Sequence, residues 1–265
     1  MQPKTQGEDF PWWLVVVAAT GLWALYEVWA SEIYSDVMAG LVKGIGITIG
    51  VTVVAYVLAC LMGLGLAMAG LSRFRLLRQA ARLWIEVIRG VPIMVLLLYV
   101  AFVVAPGMVW AWNGVTGFLG MEPVRPRDFP LLARAVMALT LAYSAFLAEI
   151  FRAGLQSVDK GQTEAAMSLG LNGWQRFRHV VFPQAFRVIL PPLGNDFVAM
   201  VKDSSLVSIL GVADITQIGK VMAAGNFRYF ETYNMVALLY LLMTISLSLA
   251  LRRFERGMKV VGQGG

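Results

Sequence analysis

Asp196, Lys202 and Asp203 interrupt an otherwise apolar stretch, PPLGNDFVAMVKDSSLVSILGV, residues 191–212. Charges inside a membrane span are costly and mark a pairing or a functional path. Asp196 and Lys202 are six positions apart, too far for a good same-face pair on a helix, and the adjacent Lys202 and Asp203 point in different directions. The residues leave three readings open: pairing with other helices, lining a water-filled path, or a helix end near the interface. Glu149 stands near the end of another apolar run with Arg152 three residues on, a spacing that suits a local ion pair or a lumen role. Asn195, Tyr143 and Ser144 are further polar groups suited to a polar solute or to helix–helix hydrogen bonds.

Other chemistries are excluded by what the chain lacks. It has one His, His179, and one Cys, Cys60, so the usual zinc sets cannot form within it and an intrachain disulfide is impossible. It contains no GxxxxGK, GxSxG or HExxH motif. The expectation is a passive conduit that needs an outside energy source.

The elements that must position these residues are membrane helices. The chain has 265 residues, 58% hydrophobic and 14% charged, with a mean hydropathy of +0.70. A soluble chain of this size would carry roughly 25% charged residues. The net charge of +6 follows from Lys and Arg collecting in particular loops, the positive-inside pattern, rather than from a nucleic-acid partner. Residues 11–30 are long enough to span; Glu27, Glu32 and Asp36 make an acidic outside loop; residues 39–71 form the longest apolar run. Gly40/Gly44 and Gly46/Gly50 have the spacing that allows close helix packing, and Thr48 and Thr52 could face a neighbouring helix or a pore. Arg73, Arg75, Arg78 and Arg82 mark a cytoplasmic connection. Further spans are expected at 83–105, 131–153, 191–212 and 233–251, with outside loops at 106–130 and 213–232. That makes about six spans with both termini in the cytoplasm: residues 1–38 as tail, first span and short outside loop, 39–255 as the core, and 256–265 as a cytoplasmic tail.

Val158 to Pro183 is the longest polar interruption. Asp159 and Gln162 suit a capping box, Gly170 a left-handed helix end, and Asn172 with Gln175 a second box, with Pro183 as a break. Two short helices joined by a glycine turn suit either a docking element or a solvated helical loop.

Within that stretch, Glu164, Ala165, Ala166, three residues, Gly170, nine residues and VVFP ending at Pro183 resemble the EAA loop of bacterial ABC importer permeases. Val180 and Phe182 replace the usual Ile and Leu. RGVPIMVLL (Arg89 to Leu97), AFLAEIFRAGLQSVDKGQ (Ala145 to Gln162) and PQAFRVILPPLGNDFVAMVKDSSL (Pro183 to Leu206) are similar, in the same order, to segments of the polar amino acid branch. Departures are Val91 for Thr, Leu96 for Gln, Phe146 for Tyr and Ala153 for Gly, each removing a polar or flexible group.

The resemblance implies an all-α polytopic membrane protein with the type I ABC importer permease fold: a five-helix core plus an extra N-terminal span, in the bacterial cytoplasmic (inner) membrane. It implies a non-enzymatic subunit for polar L-amino acids. Glu164, Ala165, Ala166, Gly170 and Pro183, within coupling helices at 157–187, would dock on an ATPase dimer that binds ATP and Mg, with no cofactor in this chain. Its other partners would be the lipid bilayer, a second permease chain, identical or homologous, and a periplasmic or lipoprotein solute receptor. Glu149, Asn195, Asp196, Lys202, Asp203, Ser204 and Ser205 would lie along the substrate path. The alternative is an ATPase-independent secondary transporter or channel, which would not require such a loop.

Overall fold

A computed structural model describes residues 12–260. The expected tail at residues 1–10 lies outside the described residues, as does 261–265 of the expected tail 256–265; residues 256–260 continue the last helix instead. Among those described every regular element is helical: α1 (Trp12–Ala30), α2 (Glu32–Val42), α3 (Ile45–Gly70), α4 (Arg75–Gly90), α5 (Ile93–Tyr99), α6 (Ala105–Gly117), α7 (Leu131–Gln156), α8 (Lys160–Ser168), α9 (Gly173–Arg176), α10 (Phe182–Asp203), α11 (Ile215–Asn226) and α12 (Tyr229–Val260).

Four runs are long and apolar enough to cross a membrane: Glu32–Gly70, Ile93–Gly117, Leu131–Gln156 and Tyr229–Glu255. Gly173–Leu210 with Ile215–Asn226, bent by 48°, forms a fifth. With the 19-residue α1 ahead of them, this is a five-helix core preceded by an extra helix. All backbone groups of a spanning segment must be satisfied within it, so helices are the expected solution.

Several boundaries differ from the expectation, each for a physical reason. The acidic stretch expected as a loop after residue 30 is helical as α2. A continuous run of 39 residues at 1.5 Å per residue is about 58 Å, far beyond a hydrocarbon core of roughly 30 Å, so Glu32 and Asp36 can extend past it without a loop. The span expected at 83–105 begins instead at Ile93. Pro92 has no N–H to donate and disfavours helix at Val91, which is extended (φ −104°, ψ 131°). The preceding charged segment becomes the separate helix α4, and residues 106–117, expected in a loop, belong to the span. A π-helical stretch, Val100–Val104, precedes Pro106 and absorbs its missing donor. Likewise Pro183 does not break the chain: a π-helical stretch, Phe177–Val181, carries α9 into α10. Residues 213–232, expected as a loop, contain α11. The interruption is confined to residues 211–214, from Gly211, left-handed at φ 79°, to the cap residue Asp214.

The core sits around α7. Its buried face is rich in small residues (Ala135, Ala138, Ala142, Ala145, Ala148), with α3 presenting Ala55, Ala59 and Gly63. A Cβ on Gly63 would stand 3.0 Å from the Ser144 carbonyl oxygen and 3.1 Å from the Ala148 nitrogen, so the two backbones approach as closely as glycine permits. A second cluster joins α1, α2, α11 and α12 through Ala24, Val37, Leu41, Ile215, Met235 and Leu239. Of the two glycine pairs, Gly40 and Gly44 pack against Met222 and the Asp214–Ile215 backbone, whereas Gly46 and Gly50 face open space. Thr48 and Thr52 are fully buried; Thr48 Oγ1 accepts from the Ile215 N–H at 3.3 Å. Thr48 thus serves helix–helix contact, whereas the Thr52 hydroxyl donates back to the Thr48 carbonyl of its own helix at 2.7 Å.

Candidate functional site

Two regions gather the sequence candidates. The first is the helical hairpin α8–α9. Asp159 caps α8 by accepting from the Gly161 N–H at 2.6 Å; the reciprocal bond from Gln162 expected of a capping box is not among the side-chain bonds of the described residues. At the other end the Gly170 N–H reaches the Met167 carbonyl at 2.9 Å and the Leu171 N–H reaches that of Ala166 at 3.1 Å. With Gly170 at φ 77°, this is a Schellman ending, which exposes an L side chain at that position to a steric penalty. Asn172 and Gln175 form the full capping box that starts α9. The turn thus places Ala166 inward, 3% exposed, and leaves Glu164 and Ala165 on the outer surface. Leu169 and Trp174 are also exposed, and Trp174, Phe177, Phe182 and Phe186 form a ladder of ring contacts at 5.9, 5.9 and 5.6 Å. Pro183 sits in the first turn of α10, just past this hairpin.

The second region is polar and internal. Glu149 pairs with Arg152, with 31% and 39% of their side chains exposed, and Arg152 also donates to Gln156 Oε1 at 2.8 Å. The pair is not an isolated local contact: it lines a cleft of about 450 Å³ with Arg82, Glu86 and Arg89 of α4. Arg89 lies 5.7 Å above the Phe146 ring, and Phe146 packs 6.1 Å from Tyr143. The Tyr143 hydroxyl in turn donates to Asp203 Oδ2 at 2.8 Å. A continuous chain of contacts therefore runs from Asp203 at the end of α10 to the cleft at the end of α7.

The remaining candidates distribute differently. Asp196 is half-buried on α10. Asn195 and Lys202 are exposed on α10; among the described residues Lys202 has no ion-pair partner. Ser204 is buried and donates to the Val201 carbonyl at 2.7 Å, which shapes the helix end instead of presenting a polar group. Ser205 is half-buried, its carbonyl accepting from Ser208 Oγ. No cluster of residues suited to a metal occurs among the described residues.

Glu86, Arg134 and Asp214 escaped the sequence reading. Arg82 was legible only as a cytoplasmic marker and Arg89 only as the start of the RGVPIMVLL segment, yet with Glu86 both share the cleft with Glu149. Arg134, 7% exposed, donates to the carbonyls of Ala101 (2.8 Å), Phe129 (3.1 Å) and Pro126, tying the 126–130 turn to the π-helical stretch. Asp214, fully buried, accepts from the Gln217 N–H at 2.8 Å and from the Tyr240 hydroxyl at 3.0 Å, pinning the bend between α10 and α11 to α12.

Comparison with known proteins follows the same outline. Residues 59–260 match the model of the family described as binding-protein-dependent transport system inner membrane component. The chain is 39% identical over 183 residues to the glutamine transport system permease protein GlnP of Escherichia coli K12, covering 69% of this chain and 76% of that one. It is 36% identical over 220 residues to the probable amino-acid permease protein YxeN of Bacillus subtilis 168, covering 82% and 91%. Among solved structures, that of an amino acid ABC transporter with histidines superposes with a TM-score of 0.69 at 38% identity, covering 82% of this chain and 94% of the other. The inward-facing MetNI methionine ABC transporter, at 21% identity and a TM-score of 0.64, shares the fold. The chain is a membrane component of a transport system, not itself an enzyme, and belongs to the family of binding-protein-dependent transport system inner membrane components.

Proposed function

We propose that this chain is the permease subunit of an ATP-driven importer of polar L-amino acids, coupled to a separate ATPase through the α8–α9 hairpin. The observation that carries the reading is the hairpin itself. Its Schellman turn at Gly170 holds Glu164 and Ala165 outward while Ala166 anchors the helix inward, and the outer surface offers Leu169 and Trp174 to a partner. An exposed apolar and polar mixture on a rigid hairpin suits a groove in another protein better than water. The amino acid class rests on the names of the relatives and on the mixed-charge cleft, where Glu149 can meet an ammonium and Arg82 or Arg89 a carboxylate.

In this reading two permease chains, identical or homologous, face each other over an ATPase dimer that binds ATP and Mg. A periplasmic or lipoprotein receptor delivers the solute. ATPase closure draws the hairpins together and rocks the helix bundles between inward- and outward-open states. Glu149, Asn195, Asp196, Lys202, Asp203 and Ser205 line or border the path, Ser204 supports its wall, and both termini face the cytoplasm of a bacterial inner membrane.

The test is co-purification and reconstitution with the neighbouring ATPase and receptor. Glu164→Arg and Gly170→Val should abolish substrate-stimulated ATP hydrolysis while the chain stays folded. Stimulation that survives both changes would sink the coupling reading. Transport in vesicles without any ATPase would instead establish a secondary transporter or channel.

A further inference from the structure

Helix α4 carries three faces that the transport reading does not use together. Ala81, Ile85 and Ile88 are buried and pack on α3 and α7. Leu76, Ala80, Leu83 and Val87 recur at the spacing of one helical stripe, and this stripe is open: Leu76 is 86%, Leu83 67% and Val87 53% exposed. Arg75, Arg78, Arg82 and Arg89 fall on a third face, with Arg73 just before the helix. Arg78 donates to the Ser72 carbonyl and Arg89 covers Phe146, but Arg73, Arg75 and Arg82 have no carboxylate partner among the described residues.

The position of α4 decides what can cover that stripe. It lies between two runs able to cross the membrane, one ending at Gly70 and the next beginning at Ile93. A charged 16-residue helix between two consecutive spans stays at the membrane face at which one ends and the other starts. A basic amphipathic helix held there places its apolar stripe among acyl chains and its cations at the headgroups. A lipid surface meets both features at once: acyl chains cover the stripe, and anionic headgroups meet Arg73 and Arg75, which have no carboxylate partner among the described residues.

We infer that the Arg73–Arg75 end of α4, with the Leu76–Leu83–Val87 stripe, is a binding site for anionic phospholipid. The stripe supplies apolar contact with the chains, while the guanidinium groups of Arg73 and Arg75 donate to the headgroup phosphate. The site is independent of the hairpin and of any cargo.

The test uses the full chain, purified in a non-ionic detergent and titrated with phosphatidylglycerol or phosphatidylcholine while thermal unfolding is followed. Phosphatidylglycerol should raise the unfolding temperature and phosphatidylcholine should not, and the effect should shrink with added salt. Arg73→Gln with Arg75→Gln should weaken the phosphatidylglycerol response on the order of 30-fold, from about 1 kcal/mol per cation near an anionic surface. Arg73→Lys with Arg75→Lys should keep most of it, Leu83→Gln should weaken it, and Arg252→Gln with Arg253→Gln, a cationic pair elsewhere, should leave it intact. Equal responses to the two lipids, or a full response in the double Gln variant, would overturn the assignment. So would a change of oligomeric state in Leu83→Gln with the lipid response preserved, which would give the stripe to a second copy.

Discussion

The hydroxyl of Tyr143, in the middle of α7, donates to Asp203 Oδ2 at the end of α10 across 2.8 Å. Tyr143 is 4% exposed, so its hydroxyl has no water to turn to and depends on this carboxylate. The bond joins the most buried helix to the one that carries most of the charged path candidates. Tyr143→Phe should cost about 1–2 kcal/mol of stability and slow transport. Asp203→Asn, which retains an acceptor, should cost less stability and affect transport more. Detergent thermal melts together with proteoliposome uptake separate the two effects; equal loss of both in both variants would reduce the pair to a structural link.

Gly63 is where α3 and α7 come closest. Gly63→Leu adds a side chain against the Ser144 and Ala148 backbone, and should destabilise by about 1–3 kcal/mol or prevent assembly. Gly50→Leu on the same helix adds its side chain to open space and should melt within a few degrees of the parent. Similar melting of both variants would show that the small-residue seam is not what holds these helices together.

Replacing Gly170 with Val puts a β-branched residue at φ 77°, a conformation such residues essentially do not adopt. The Schellman turn should open while the spans, which pack elsewhere, keep their melting behaviour. Loss of ATPase co-purification at unchanged thermal stability is the expected pattern.

Glu149→Gln removes the anionic partner of Arg152 and leaves three arginines, Arg82, Arg89 and Arg152, around the cleft with Glu86. Uptake kinetics should change, with the apparent affinity for substrate falling, while the ATPase remains bound. Identical uptake kinetics would remove Glu149 from the substrate path.

At the bend, Asp214→Ala deletes a buried cap and the acceptor of the Tyr240 hydroxyl together. The expected loss is about 2–3 kcal/mol. Tyr240→Phe keeps the cap and should lose less. Hydrogen exchange at the Gln217 amide, which the Asp214 carboxylate holds, reads the cap directly.

The sequence by itself determined the class, the hairpin and the order of the helices. Those properties are local: apolar length makes a span, Gly170 makes a left-handed turn, and Asn172 with Gln175 makes a cap, whatever surrounds them. Boundaries failed where a local rule met a neighbour. Pro183 and Pro106 were absorbed by π-helical stretches, and the charged Arg75–Gly90 segment split from its span because Pro92 follows it. Only the tertiary structure decided which polar residues meet. Glu149 with Arg152 was visible as an i, i+3 spacing, but their union with Arg82 and Arg89 crosses from α7 to α4. Tyr143 with Asp203, Asp214 with Tyr240, and Arg134 with the Ala101 carbonyl of a distant π-helical stretch likewise join positions that no spacing along the chain relates. The close packing of small residues on α3 and α7 helps bring such groups within hydrogen-bond reach, and that approach is a property of whole helices rather than of any one segment.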